Sequence, residues 1–510
     1  MLAKAYSVGL LGVDGFSVTV EADITGGLPA FDIVGLPDAA VKESKERIRS
    51  GIKNSGFIFP SKKLIINLAP ASLRKEGPGY DLPMAVAVLA ATGQVPVPQG
   101  DTAFIGELSL DGGVSRVSGV LPMVISGYNK GYTSFFVPYA NAKEAAVIDG
   151  VNIYPVKNLA ELCRHLRGDD EIETYQKDEN EMFSQNADSL LDFCDVKGQE
   201  SAKRALEIAA AGNHNVLLIG SPGTGKTMLA QRMPSILPDL SFEEALEVSK
   251  IHSIAGILPE NTPLITQRPF RNPHHTISPP GLSGGGGGIP RPGELSLAHN
   301  GVLFIDEFPE FRRDVLEVLR QPLEDGKITI SRVNATLTYP CNMMLIASMN
   351  PCKCGYFGDA HRECTCTPAQ INQYHSRISG PLLDRIDIQV EVASVDYKDL
   401  SNMEKGETSA EIKKRVNEAR KIQIERYREF GIYSNAQLTA GMLTEFCRLD
   451  DAANNILKMA FDRLGLSARA HSRILKVART IADLEGVGDV TAAHIAEAIQ
   501  YRNLDRKFFG

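Results

Sequence analysis

Apolar and polar residues alternate in the first third of the chain, as half-buried strands require. The alternation is clearest from Phe16 to Asp23. Strands are predicted at 16–23, 31–34, 64–68, 104–110 and 134–138, and helices at 38–54, 80–90 and 141–148. This mixture predicts an α/β domain over residues 1–165.

The middle of the chain instead carries short runs that are apolar throughout, which is typical of strands buried on both faces. These runs lie at 215–219, 302–305 and 343–348. The preceding residues 166–190 are polar and acidic and are predicted to form a linker. Residues 191–395 are therefore predicted to form a second α/β domain around a parallel sheet.

Beyond residue 397 the apolar residues recur with a helical period. Helices are predicted at 409–430, 439–447, 450–464, 468–485 and 490–500. Residues 396–510 are thus predicted to form a helical domain.

A glycine-rich motif follows the first apolar run of the middle domain and matches the P-loop pattern. Strand, glycine loop and helix direct backbone N–H groups at phosphates. Lys226 would reach the β- and γ-phosphates, and the Thr227 hydroxyl would bind Mg²⁺. The predicted nucleotide-binding residues are Gly220, Ser221, Pro222, Gly223, Thr224, Gly225, Lys226, Thr227 and Met228. The predicted cofactors are ATP and Mg²⁺.

The next two apolar runs each end in residues that suit phosphate chemistry. Asp306 and Glu307 follow 302–305, where Asp306 would hold Mg²⁺ and Glu307 would polarise a water molecule. Asn350 follows the last run and would sense the γ-phosphate. Because these two further motifs follow the glycine-rich loop in order, its match to the P-loop pattern is not attributed to chance.

Charge and hydropathy argue against a globally basic nucleic-acid-binding protein and against a membrane-spanning protein. There are 54 basic and 62 acidic residues, so the net charge is −8 and any nucleic-acid contact must be local. No apolar run approaches the roughly 18 residues of a membrane span, and the first residues lack the features of a signal peptide. A cytoplasmic protein without a membrane partner is expected.

Two segments, one before and one after the acidic motif, are candidates for a polynucleotide contact. Five consecutive glycines at 284–288 predict an insertion without rigid structure. Residues 327–337 predict a β-hairpin in which Lys327 and Arg332 could contact a phosphate backbone. The alternative is a hairpin that simply faces solvent.

Four of the eight cysteines lie within fifteen residues of one another. Cys352 and Cys354 form one Cys-x-Cys pair, and Cys364 and Cys366 form the second. Four thiolates can bind one tetrahedral ion, with Zn²⁺ the natural candidate. Reduced cysteines without a metal remain the alternative.

Arginines near the end of the chain are candidates for charge stabilisation. Arg385 precedes a predicted strand and would act as an arginine finger on a neighbouring subunit's γ-phosphate. Arg377 competes for this role, and pairing of Arg385 with Asp384 or Asp387 is the alternative. Arg473 begins an apolar-periodic helix that could lie over the nucleotide, or it could form an ordinary salt bridge.

The first domain resembles the proteolytic domain of Lon, a ribosomal-protein-like α/β fold. Residues 75–81 and 106–112 carry this resemblance. Gly79 stands where Lon has its serine nucleophile, and the lysine partner would fall near Leu121. No peptidase activity is therefore expected. The domain is then either a scaffold or a binding surface that uses Lys62, Lys63, Arg74 and Lys75.

The remaining motifs resemble those of AAA+ ATPases. Gly198 and Gln199 precede a helix, as in the segment that covers adenine, and the hairpin resembles the pore loops of MCM helicases and magnesium chelatase subunits. Arg473 matches the second sensor of the AAA+ lid. The catalytic residues that the resemblance implies are Glu307, Asn350, Arg385 and Arg473.

Over nearly its whole length the chain is similar to the ComM/YifB family of magnesium-chelatase-like AAA+ ATPases. The resemblance implies a homo-hexameric ring that hydrolyses ATP. It also implies single-stranded or branched DNA as substrate, and branch migration in homologous recombination and natural transformation. The alternative is a chaperone-like or chelatase-like ATPase that acts on a protein partner.

Overall fold

A computed structural model describes most of the chain. The described residues are 1–177, 191–260, 262–286, 288–332, 335–359, 361–394, 406–464, 467–502, 504 and 508. They form an α/β region, a second α/β region with a parallel sheet, and a helical C-terminal region. The predicted fold class is confirmed.

The N-terminal region combines a mixed sheet with a smaller parallel one. Its strands are β1 (Leu2–Leu11), β2 (Asp14–Thr25), β3 (Ala30–Val34), β4 (Lys63–Ala69), β5 (Thr102–Phe104), β6 (Glu107–Leu108), β7 (Val114–Ser115), β8 (Ser134–Pro138) and β9 (Asn152–Val156). Its helices are α1 (Ala39–Asn54), α2 (Asp81–Ala91), α3 (Val120–Tyr128), α4 (Ala142–Ala145) and α5 (Leu159–Arg167). The strand orders are β1-β2-β4-β3 and β5-β8-β9.

Helix α2 is the centre of this region. Every residue from Asp81 to Ala91 is buried, because the helix packs against β1, β2 and α1. Helix α1 begins where the Asp38 carboxylate accepts a hydrogen bond from the Val41 N–H, a common N-terminal cap. The apolar face predicted for α1 is buried at Val41, Ile48 and Ile52.

The second region surrounds the parallel sheet. Its strands are β10 (Val216–Ile219), β11 (Phe270–Arg271), β12 (Gly284–Gly285), β13 (Arg291–Pro292), β14 (Val302–Ile305), β15 (Lys327–Ser331), β16 (Thr336–Pro340), β17 (Met344–Met349) and β18 (Ile388–Glu391). Its helices are α6 (Glu200–Gly212), α7 (Lys226–Gln231), α8 (Met233–Ile236), α9 (Phe242–Ala255), α10 (Pro279–Ser283), α11 (Glu294–Leu297), α12 (Arg313–Val318), α13 (Pro322–Asp325), α14 (Pro368–His375) and α15 (Gly380–Leu383).

The order of the parallel strands is β11-β14-β17-β10-β18. Strands β10, β14 and β17 are buried at every position, as their apolar sequences predict. Because the strands are parallel, their carboxyl ends meet at one edge of the sheet. The three predicted phosphate motifs follow these ends.

The C-terminal region is helical, as predicted. Its helices are α16 (Ser409–Arg426), α17 (Ala440–Phe446), α18 (Asp451–Leu464), α19 (Ala468–Leu484) and α20 (Ala492–Gln500). Helix α19 packs against α20, α16 and α6, so it joins the helical region to the sheet region. Among the described residues, no helix combines the length and the apolar character that crossing a bilayer requires.

The N-terminal region packs on α9. Leu121 and Val147 share a small apolar cluster with Ala245 and Leu264. Next to it, the Ser253 hydroxyl donates to the buried Glu144 carboxylate at 2.7 Å. These contacts fix the first region to the second.

Several predicted boundaries differ from the structure. Strand β1 was not predicted, because Leu2–Leu11 does not alternate regularly. The strand predicted at 104–110 is divided between β5 and β6, and the helix predicted at 141–148 extends only over α4. Pairing partners from distant strands decide these lengths, and local patterns do not contain them.

The first residues of the predicted linker contact the N-terminal region. Helix α5 continues to Arg167, and the Tyr175 N–H donates to the Ile153 carbonyl. The chain therefore remains on the N-terminal region through the last described residue before 191. Residues 178–190 and the predicted boundary at 395/396 lie outside the described residues.

Candidate nucleotide and metal sites

The glycine-rich loop connects β10 to α7 at the carboxyl edge of the sheet. Gly223 and Gly225 have φ angles of 82° and 93°, which side chains disfavour. At Gly220 a Cβ atom would lie 2.3 Å from the Val392 carbonyl oxygen. The glycines therefore allow both the turn and its close approach to Val392, the residue after β18.

Lys226 is buried beneath this loop. Its Nζ donates to the carbonyl oxygens of Gly220 and Ser221 at 2.6 and 2.9 Å, and to Asn350 Oδ1 at 3.2 Å. Burial lowers the pKa of Lys226 to about 8, although the charges of Asp306 and Glu307 act in the other direction. A phosphate anion at this position would stabilise the ammonium form.

Thr227 and Asp306 lie together, as a shared Mg²⁺ site requires. The Thr227 hydroxyl donates to Asp306 Oδ2 at 2.9 Å. The other carboxylate oxygen of Asp306 accepts a hydrogen bond from the Ser348 hydroxyl on β17. These oxygen ligands suit a hard cation such as Mg²⁺, which would neutralise phosphate charge.

Glu307 lies at the exposed end of β14, with a strained backbone. Its φ angle is 52°, which is uncommon for any residue other than glycine. Its N–H donates to Asp306 Oδ1 at 3.1 Å, and its side chain is 58% exposed. Backbone strain of this kind is frequent at functional sites, because it holds a side chain in a defined direction.

Asn350 follows β17 and is the third member of this arrangement. Its side-chain oxygen contacts Lys226, so it lies between the acidic pair and the phosphate-binding loop. The structure thus brings together Lys226, Thr227, Asp306 and Asn350, with Glu307 adjacent. Their catalytic roles stay predictions.

Arg385 and Arg473 lie at the opposite end of the sheet, where its parallel strands begin. Both line a cleft of about 500 Å³ with Glu324, Asp384 and Arg469. Arg385 precedes β18, whose first residue pairs with the first residue of β10, whereas the glycine-rich loop follows the last residue of β10. The four residues of β10, or about 13 Å of strand, therefore separate the level at which β18 begins from the loop.

That the Arg473 helix lies over the nucleotide stays a prediction. Within the chain, Arg473 forms a salt bridge with Asp387, which is 1% exposed. His214 contacts the same carboxylate at 3.3 Å. Burial favours the protonated form of Asp387, but Arg473 and His214 outweigh burial and hold its pKa below the ordinary range.

The other candidate arginines have local partners. Arg385 binds the Glu324 carboxylate and the Pro381 carbonyl, rather than Asp384 or Asp387 as the alternative had it. Arg377 donates to Glu310 at 2.9 Å. Arg377 thus lies beside the turn that follows β14 of its own chain.

The predicted hairpin is present as β15 and β16. Along both strands exposed residues alternate with buried ones, so the hairpin has one apolar and one solvent-facing side. Lys327 and Arg332 are exposed. Residues 333 and 334, between the two strands, lie outside the described residues.

The glycine-rich segment differs from the prediction of an insertion without structure. Its described residues include α10 and the paired strands β12 and β13. At Gly284, with φ of 102°, a Cβ atom would lie 2.4 Å from the Arg291 carbonyl oxygen. Glycine is therefore required here for close strand pairing rather than for lack of structure.

The cysteine ligands converge as predicted. The sulfur atoms of Cys352, Cys354, Cys364 and Cys366 all lie within 4.8 Å of one another. Cys352 Sγ is 3.3 Å from Cys354 Sγ and 3.6 Å from Cys364 Sγ. Such a cluster can hold a metal ion.

The residues aligned with the Lon dyad support no peptidase chemistry. Gly79 carries no side chain, and Leu121 is fully buried in the contact with α9. Lys75, proposed above as part of a binding surface, is also fully buried. Its ammonium group donates to the carbonyls of Pro70 and Leu73, so it cannot contact a partner.

Sequence reasoning missed three residues at the nucleotide site. Ser348 binds Asp306, Asp359 binds Ser221, and His275 Nδ1 lies 3.9 Å from Glu307 Oε2. The adjacent histidines at 274 and 275 were the feature of the sequence that could have indicated the contact with Glu307. Ser348 and Asp359 belong to no recognisable local pattern.

Known protein families match all three regions. The family described as "Magnesium chelatase, subunit ChlI" matches residues 192–400. "Subunit ChlI of Mg-chelatase" matches residues 20–141, and "Magnesium chelatase, subunit ChlI C-terminal" matches residues 406–502.

Two of the relatives match over almost their whole length, and a third matches over part of it. Competence protein ComM of Haemophilus influenzae is 42% identical over 508 residues, which cover 99% of this chain and 98% of the relative. Uncharacterized protein YifB of Escherichia coli is 43% identical over 507 residues, with the same coverage. A Lon protease of Brevibacillus choshinensis is 26% identical over 163 residues, 30% of this chain and 21% of the relative. The chain therefore belongs to the ComM/YifB family of magnesium-chelatase-like AAA+ ATPases.

Proposed function

We propose that the protein is a ring-shaped motor that uses ATP hydrolysis to move DNA, and that it catalyses branch migration during homologous recombination. The observation that carries this proposal is the combination of two features in one domain. The phosphate-binding residues meet at the carboxyl edge of the sheet, and a hairpin with an exposed basic and polar side emerges from the same domain.

In the proposed reaction, Lys226 and the loop amides bind the β- and γ-phosphates. Glu307 accepts a proton from the attacking water molecule, and Asn350 orients the γ-phosphate. Mg²⁺, held through Thr227 and Asp306, supplies charge neutralisation at the phosphates. Lys226 must be protonated for this role, which its pKa of about 8 permits at neutral pH.

Arg385 and Arg473 are proposed to act on the nucleotide of a neighbouring subunit. They share a cleft at the sheet edge remote from the loop of their own chain. In a homo-hexameric ring, one subunit's cleft can face the next subunit's loop, since such head-to-tail contacts repeat around a closed ring. An arginine supplied in this way stabilises charge in the transition state.

The hairpin is the proposed DNA contact. Its apolar side belongs to the core cluster that includes Ile328, Ile330 and Leu337, so its direction is fixed. Lys327 and Arg332 are exposed and therefore available for phosphate oxygens. A local contact of this kind agrees with the net charge of −8.

A relative named for competence supports a role in natural transformation. Incoming DNA must be joined to a homologous duplex, and extending such a joint requires a motor that exchanges strands. We assign this step to the present protein as part of the same proposal.

Zn²⁺ is the proposed ion for the cysteine cluster. Zn–S bonds of about 2.3 Å in a tetrahedron place sulfurs about 3.8 Å apart. The observed separations of 3.3, 3.5 and 3.6 Å are close to this value. A site with four thiolates leaves no open position, so the proposed role is structural.

Replacing Arg332 by alanine tests the DNA contact. Binding of single-stranded and branched DNA is measured by fluorescence anisotropy at several salt concentrations. The slope of log affinity against log salt is expected to fall by about 0.7 to 0.9, because one phosphate contact is lost. ATP hydrolysis without DNA should remain.

Lys62→Ala is the matched control, since Lys62 is an exposed basic residue of the N-terminal region. It should leave the salt slope unchanged. If Lys62→Ala reduces the slope and Arg332→Ala does not, the DNA contact lies on the N-terminal region and the hairpin assignment is wrong.

A further inference from the structure

The cysteine cluster is joined to the phosphate-binding loop by two direct contacts. Asp359, between the two Cys-x-Cys pairs, accepts a hydrogen bond from the Ser221 hydroxyl at 2.5 Å. Gly355 lies directly against Pro222, where a Cβ atom would come within 2.6 Å of the proline ring. Both Ser221 and Pro222 belong to the loop that would hold the nucleotide phosphates.

Asp359 is itself held in place by the loop between the cysteine pairs. The N–H groups of His361 and Arg362 donate to its Oδ1 at 2.8 and 3.0 Å. Its Oδ2 is then directed at Ser221. The position of this carboxylate therefore depends on the course of the chain between Cys354 and Cys364.

The same cluster is also joined to the candidate γ-phosphate sensor. Cys352 is fully buried and lies two residues after Asn350. The intervening Pro351 contacts His375 Nε2 through its carbonyl at 2.8 Å. Because Asn350 contacts Lys226, a change at Cys352 would reach the lysine through two residues of backbone.

We propose that a metal ion bound by the four thiolates braces the nucleotide site, so that ATP affinity depends on the metal. The proposal rests on the zinc assignment made above and gives that site a function. Binding of a metal ion by four thiolates is coupled to the folding of the segment that carries them. The metal therefore determines whether this segment holds Ser221, Pro222 and Asn350 in place.

The first test removes two ligands, one from each pair. The Cys354→Ser, Cys364→Ser double variant is compared with the wild type for bound zinc, measured by elemental analysis, and for affinity toward a fluorescent ATP analogue. We expect about one zinc per chain in the wild type and none in the variant, with nucleotide affinity at least tenfold weaker. Cys194→Ser, which changes a cysteine outside the cluster, should alter neither value.

The second test keeps the metal and weakens the link. Asp359→Asn retains all four cysteines, so it should bind zinc normally while nucleotide affinity falls about three- to tenfold. Adding Zn²⁺ to protein stripped of metal under reducing conditions should restore nucleotide binding, and adding Mg²⁺ should not. These readouts do not depend on the double variant being as stable as the wild type.

The outcomes separate the two proposals. Wild-type protein that binds no zinc at these cysteines, even after Zn²⁺ is added, overturns the zinc assignment and the brace with it. Zinc that binds normally, but whose removal leaves nucleotide affinity unchanged, overturns the brace alone.

Discussion

Two arginines one turn apart on α19 have very different surroundings. Arg469 is 67% exposed and pairs with Asp384 at 3.1 Å, whereas Arg473 is 21% exposed and pairs with the buried Asp387. The sequence shows only two arginines on a helix. Asp387, the residue before β18, is distant in sequence, so the difference could not be predicted from the local pattern.

Replacing Arg473 by alanine should destabilise the contact between the helical region and the sheet. A carboxylate buried without its partner costs on the order of 3 kcal/mol. Arg469→Ala should change stability by less than about 1 kcal/mol, since exposed ion pairs contribute little. Urea unfolding without nucleotide, followed by circular dichroism, measures both. Equal losses in the two variants would contradict the assigned role of the Arg473–Asp387 pair.

At the nucleotide site, residue identity was predictable where the motif is contiguous. The glycine-rich loop, the acidic pair and Asn350 follow the apolar strands β10, β14 and β17. Parallel pairing brings the ends of those strands together. Ser348 and Asp359 could not be predicted in the same way. Each contributes a single hydroxyl or carboxylate whose partner comes from another part of the chain.

At the scale of elements, the glycine-rich segment connects the hairpin with the N-terminal region. The Tyr339 hydroxyl on β16 donates to the Pro290 carbonyl at 2.6 Å. The preceding residue, Ile289, donates its N–H to the Glu76 carboxylate at 3.0 Å. Gly288 allows this contact, because a Cβ atom there would lie 2.5 Å from a Glu76 oxygen. The residues aligned with the Lon active-site loop thus hold a loop of the ATPase region.

Replacing Glu76 by alanine should free this loop. Hydrogen exchange at the Ile289 amide is expected to accelerate about tenfold, because a hydrogen bond to a charged acceptor contributes roughly 1.5 kcal/mol. Mass spectrometry of a peptide that covers Ile289 measures the rate. Glu46→Ala, at an exposed position of α1, is the control. Unchanged exchange in Glu76→Ala would show that other contacts hold the loop.

Element lengths were the least predictable part of the fold. The apolar runs of β10, β14 and β17 identified the central sheet, because burial on both faces leaves a clear pattern. The glycine run at 284–288 was misleading, since composition alone cannot separate a glycine that permits motion from one that permits close strand pairing. The pairing of β12 with β13 is a property of the folded chain.

At the scale of the whole molecule, the two ends of the central parallel strands carry different chemical groups. One carries the phosphate-binding loop and its acidic partners, and the other carries the cleft with Arg385 and Arg473. In the proposed assembly, a single chain therefore contributes the two halves of a composite site at opposite ends of its sheet. This arrangement is the reason for proposing a ring, in which neighbouring chains complete one another.

The rate of ATP hydrolysis with and without DNA tests the central claim most directly. Purified wild-type protein and the Glu307→Gln variant are assayed with single-stranded, branched and no DNA, and ATP binding is measured in parallel. DNA should stimulate wild-type turnover several-fold, and the variant should bind ATP without turnover, because only the carboxylate can accept the proton from water. Wild-type turnover that is indifferent to every form of DNA would contradict the account and favour a protein substrate.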